Sequence, residues 1–144
     1  MKLTPREAVS GFSDIYKFDI NERASLGSGA ITKIATIPLG GVVTYCAIYV
    51  IEPITSGSIS FSIGTTPTTY SNLISITPFA SLTKCVFSNG SSFTVSGYAT
   101  VLNGFVNNSE NELPVFFRQT SVINPVGGSG LVCMRILEPS VFNF

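Results

Sequence analysis

The chain has 144 residues and a mass of 15.3 kDa, with eight Lys and Arg against eight Asp and Glu and no histidine. That length suits one domain whose core can stand without staples. Zero net charge excludes an electrostatic grip on nucleic acid or an acidic solvating tail. The missing histidine removes Ser-His-Asp and Cys-His catalysis and most catalytic zinc designs.

Met1 to Phe12 opens with Thr4, Pro5 and Glu7 in the order of a helix N-terminus. Gly11 would end such a helix at once, so the segment reads as a short helix or an extended arm. It is set apart as residues 1–12, before a β-sandwich domain over 13–144. No 7–15-residue apolar core follows Lys2, so no secretory signal is expected. No run of 18 apolar residues exists, and no transmembrane helix is expected.

Ser13 to Ala24 is read as a first strand anchored by Ile15, Phe18 and Ile20. Leu26 to Gly29 is a loop. Ile31 to Ile37 is a second strand closed by Pro38. Val42 to Glu52 is a third, apolar on both faces: Val43, Tyr45, Ala47, Tyr49 and Ile51 on one, Val42, Cys46, Ile48 and Val50 on the other. Such a strand should be covered twice, by the core and by a second layer or a neighbouring subunit. Ser58 to Ile63 alternates cleanly, with Ile59, Phe61 and Ile63 facing in and Ser58, Ser60 and Ser62 facing out.

Gly64 to Thr69 is a loop, and Asn72 to Thr77 is a short strand or a helical turn before Pro78. Lys84 to Phe87 is a short strand. Asn89-Gly90 in the turn Ser88 to Ser92 is a strong hairpin signal. Phe93 to Val106 alternates over a long span, with Gly97 and Gly104 marking bulges or close backbone approach. Asn107 to Glu112 is an exposed loop. Leu113 to Thr120 is a strand, Pro125 to Gly130 a glycine-rich connection, and Leu131 to Leu137 the last full strand. Pro139 stops it, and Val141 to Phe144 form an apolar tail. About eight strands separated by turn signals predict an all-β, single antiparallel sandwich, jelly-roll-like, with short terminal arms.

Charge is unevenly spread. Nine of the sixteen charged residues precede Ile34, and only Glu52 and Lys84 fall between Ile34 and Ser109. At a mean hydropathy of +0.42 and 11% charged residues, the middle of the chain has either a Ser/Thr surface or one covered by neighbours. Leu3, Pro5, Phe12, Val141, Phe142 and Phe144, the apolar residues of the two ends, are the candidate subunit contacts.

No reactive constellation stands out, and neither an enzyme nor a cofactor is expected. Asn107, Asn108, Glu110 and Glu112 carry oxygen ligands but lack calcium-loop spacing. Gly40-Gly41 and Gly127-Gly128-Ser129-Gly130 are not followed by helices and read as turns rather than phosphate loops. Asn89-Gly90-Ser91 and Asn107-Asn108-Ser109 match the glycosylation pattern but are discounted without a secretory signal. Cys46, Cys85 and Cys133 cannot all pair within one chain and are read as reduced thiols.

The order of features in Ile31 to Thr65 carries a family resemblance. A strand ends in Ile-Pro-Leu-Gly-Gly-Val-Val. A long apolar strand follows, then Ser-Ile-Ser-Phe-Ser-Ile-Gly-Thr and a Thr- and Tyr-containing loop. This resembles a β-sandwich module of tailed-bacteriophage virion proteins, capsid decoration or cement proteins and head or tail fibre proteins among them. The resemblance covers about a third of the chain. It implies a structural virion protein, made in the host cytoplasm and residing in the virion. The implied partners are other copies, typically as a homotrimer, and the major capsid protein or other virion proteins; no nucleic acid or membrane partner is expected. The alternatives are a tail, neck or fibre component, and a carbohydrate-binding β-sandwich module.

Overall fold

The computed structural model describes residues 13–67, 70–79, 85–87, 92–93 and 105–138. They form ten strands and one short helix. The strands are β1 (Asp14–Asp19), β2 (Ile31–Ile37), β3 (Val42–Glu52), β4 (Ser56–Gly64), β5 (Ile74–Pro78), β6 (Cys85–Phe87), β7 (Ser92–Phe93), β8 (Phe105–Val106), β9 (Leu113–Val126) and β10 (Ser129–Leu137). The helix α1 is Ile20–Ser25. One sheet has the order β1-β10-β3-β6-β7, with β8 also on β3, and the other has the order β2-β9-β4-β5. Every pairing is antiparallel. Without the two-residue strands β7 and β8, the orders are β1-β10-β3-β6 and β2-β9-β4-β5. First and last strands are neighbours, as are second and second-to-last, which is the double Greek key of a jelly roll.

The core lies between the sheets. Phe61 on β4 is fully buried, with ring centroids 5.1 Å from Phe18, 4.6 Å from Phe117 and 5.9 Å from Phe79. Ile37, Ile48, Ile59, Ile63 and Val115 extend this cluster along the sandwich. Their side chains come from alternating positions, because a half-buried strand directs every second residue inward.

Four sequence expectations are corrected. The first strand ends at Asp19, and Ile20 to Ser25 turn into α1. The Asp19 carboxylate accepts a hydrogen bond from the Glu22 amide at 3.1 Å, capping the helix where a strand would otherwise continue. Asp19 with an acid three residues later was a legible start signal. Second, β9 continues to Val126, six residues past Thr120, through irregular pairing with β4 in which Ser121 and Asn124 take positive φ. Gly57 lies opposite them at φ +77°, where a Cβ would fall 2.1 Å from the Asn124 carbonyl oxygen. Third, a bulge leaves Thr44 of β3 unpaired where Arg135 and Ile136 of β10 face Tyr45 and Val43, so Val43 joins Cys46 and Ile48 in the core rather than Tyr45 and Tyr49. Fourth, Ser60 and Ser62 occupy the outer side of β4 yet are buried.

On the outer side of β3, Ala47 and its partner Cys133 are buried, Tyr45 and Tyr49 are half-buried and Ile51 is exposed. The hydroxyls of Tyr45 and Tyr49 meet above Ala47. Cys46 and Cys133 are both buried. They sit on opposite faces of adjacent strands and cannot bond to each other. Burial pushes the Cys46 thiol far above the ordinary range, with the nearby Cys133 adding to the effect. The side chain of Cys85, and Phe93 to Val106 apart from its two ends, lie outside the described residues.

Candidate functional site

The candidate contacts Leu3, Pro5, Phe12, Val141, Phe142 and Phe144 lie outside the described residues, but their points of attachment do not. Ser13 donates its amide to the Met134 carbonyl at 2.9 Å and accepts from the Ile136 amide at 2.8 Å through its hydroxyl. Asp14 is opposite Met134 on β10, whose last residue is Leu137. Both terminal segments therefore join the sandwich at one end, beside the same strand pair.

That end also carries the Asn107 loop, which is exposed as predicted from Asn108 to Glu112 but not at its first residue. Asn107 is buried. Its Nδ2 donates to the carbonyls of Ile37 (3.1 Å), Pro38 (3.1 Å) and Asn111 (2.9 Å). Its Oδ1 accepts from the Ser109 amide at 3.0 Å and hydroxyl at 2.6 Å. The carboxamide thus locks the β2–β3 turn to the β8–β9 loop. It is neither a free calcium ligand nor an accessible glycosylation acceptor. Glu110 and Glu112 stay exposed beside it. The Asn89 acceptor lies outside the described residues.

The opposite end gathers α1, the β3–β4 loop and Gly127-Gly128. Gly128 has φ +102°, and a Cβ there would lie 2.8 Å from Ile54 and 2.9 Å from Ile20, so only glycine lets these loops close. The predicted turn is therefore a packing device. An open cleft beside it is lined by Lys17, Asp19, Asn21, Glu22, Glu52 and the Gly127–Ser129 backbone. No three of its acidic groups converge in metal-binding geometry.

Arg23 of α1 enters the sandwich at this end and is buried. Its Nη1 donates to the Thr32 hydroxyl at 2.5 Å, and its guanidinium lies 5.0 Å from the centroid of Phe117. Nε and Nη2 have no partner, and neither does Oε1 of the buried Gln119. The Gln119 Nε2 donates to the carbonyls of Arg23 and Gly27 and holds α1 down. Desolvating a guanidinium without a carboxylate is costly, so an apolar side chain of similar length should serve as well. R23M is expected to be neutral or up to about 4 kcal/mol more stable. R23A, which leaves a void, should lose about 2–4 kcal/mol. Thermal melts of the two variants check this.

Among the described residues, the exposed large apolar side chains are all aliphatic: Leu26, Ile31, Leu39, Ile51, Ile76, Val106, Ile123 and Val126. Tyr70 and Phe116 are half-buried against each other, with centroids 5.0 Å apart. These residues therefore offer no aromatic platform for stacking a sugar.

The fold is that of a jelly-roll sandwich. No family model matches the chain, and no curated protein matches it. Among solved structures it is similar to a chain of the acid-stable capsid of the Helicobacter pylori bacteriophage KHP30. The TM-score is 0.53 at 15% identity, over 88% of this chain and 95% of that one. At that identity the likeness is one of fold.

Proposed function

We propose that this chain is a non-enzymatic structural protein of a tailed-phage virion, a subunit that decorates and stabilises the capsid lattice. The observation that carries the reading is the near whole-length likeness to a chain of a phage capsid. Because both chains are covered almost completely, the similar chain is also a small subunit of one jelly roll. Such a subunit suits an addition to a shell. The resemblance carried by Ile31 to Thr65 points the same way independently of the fold. The absence of histidine and the weakly charged middle of the chain suit a protein that works through contacts. Its expected partners are further copies and the major capsid protein, and its expected location is the virion after synthesis in the host cytoplasm.

Immunogold electron microscopy of purified virions tests this. Label spread over the head is the expected result. Label restricted to neck, tail or fibres would move the chain to the second virion class. No label on virions, with retention on a glycan array, would replace the reading with the carbohydrate-binding one.

A further inference from the structure

The outer face of the four-stranded sheet brings Arg118 and Lys33 together. On β9, Val115, Phe117 and Gln119 point inward and are fully buried, so Phe116, Arg118 and Thr120 point outward. Arg118 lies opposite Ile31 on β2 and Ser62 on β4, and Thr120 lies opposite Ser60. Lys33 lies opposite Phe116, placing it diagonal to Arg118 at about 7–8 Å. The hydroxyls of Ser62 and Thr120 are buried without a hydrogen-bond partner. Among the described residues, the side chains of Arg118 and Lys33 have no ion pair or hydrogen bond. A half-buried guanidinium with an exposed ammonium one step away forms a pair of cationic donors suited to carboxylates. No acid lies on this face among the described residues of β2, β4, β5 and β9, and Ile31 and Ile76 are exposed on the flanking strands.

The same chain supplies the complement. Glu110 and Glu112 are exposed, two positions apart, on the loop that Asn107 holds in shape, and neither has a partner among the described residues. We propose that the outer face of the β2-β9-β4-β5 sheet is a self-association surface. The Glu110–Glu112 loop of a second copy seats its two carboxylates on Arg118 and Lys33. Loop and face are different patches, so the contact is heterologous; it closes into a ring or extends into a lattice according to the rotation between copies. This contact does not depend on the virion reading and would hold in any assembly.

Light scattering and sedimentation of the purified protein test it. The wild type is expected at an integer multiple, above one, of the 15.3 kDa chain mass. The face reversal K33E/R118E and the loop reversal E110K/E112K should each weaken association by about 30-fold or more. The variant carrying all four changes should associate again. These side chains are outward and unpaired, so circular dichroism and melting temperature serve as folding controls. A monomeric wild type, or an oligomer that survives both reversals, overturns the proposal.

Discussion

Phe61→Ala is expected to cost about 3–5 kcal/mol, a large part of the stability of an ordinary domain. The side chain is fully buried between the sheets and in ring contact with Phe18, Phe79 and Phe117. Those three rings come from β1, the end of β5 and β9, so the lost volume sits where both sheets depend on each other. Phe61 is on a central strand with partners on both sides, which limits how far the backbone can collapse into the void. The cost has two parts, the lost transfer of the ring from water and the cavity that remains. For a chain of this length the melting temperature should fall by about 10–15 °C. Urea and thermal melts measure it. A loss under about 1 kcal/mol would mean that the ring cluster is not the centre of the core. Phe61→Leu keeps much of the volume and should cost clearly less.

The second large effect is expected at Asn107, and it depends on pH. Asn107→Asp leaves the shape unchanged but turns the donor Nδ2 into an acceptor oxygen. That oxygen would face the carbonyls of Ile37, Pro38 and Asn111, now without donors between them. The bonds from Ser109 survive, so the variant isolates the donor side of the network. Burying the resulting negative charge is expected to cost about 3–5 kcal/mol near pH 7. The folded state would favour the neutral carboxyl, so its pKa rises above the unfolded value of about 3.9. Below that value the variant is protonated in both states and can return one donor. Its stability is therefore greatest in acid and falls as pH rises through the raised folded pKa, a sign opposite to that of a salt-bridged aspartate. Chemical melts of wild type and variant at pH 4 and pH 7 check this. An equal penalty at both values would show that the carboxamide is not the lock between the β2–β3 turn and the β8–β9 loop. The same variant bears on self-association, because the Glu110–Glu112 loop takes its shape from this residue.

Much of the strand framework was legible in local sequence. Ile31–Ile37 and Val42–Glu52 have the ends read for them, while Ser56–Gly64 and Ser129–Leu137 extend the expected Ser58–Ile63 and Leu131–Leu137 strands slightly. Alternation is a property of neighbours in the chain, and Pro38 and the turn glycines mark boundaries with no reference to the fold. The all-β jelly-roll class followed from counting such runs. The reading failed where two local signals competed, at Asp19, where a helix cap overrode the alternation running through Ile20. It also failed where irregular pairing extended β9 past Thr120.

Tertiary structure decided the rest, because it depends on which strands meet. The bulge at Thr44 of β3 moved Val43 into the core, and nothing within Val42–Glu52 by itself announces which residue β10 leaves unpaired. Ser60 and Ser62 read as solvent-facing; the strands around β4 bury them. Asn107, read as part of an exposed loop, and Arg23 are internal pegs, because other chain segments supply Thr32, Phe117, Ile37 and Pro38. Arg118 and Lys33 acquire meaning only through the β2–β9 register that sets them diagonal to each other. Side-chain type and spacing determined which segments are strands. Pairing order, register and burial determined what each face presents, since those are set by contacts between residues that are distant along the chain.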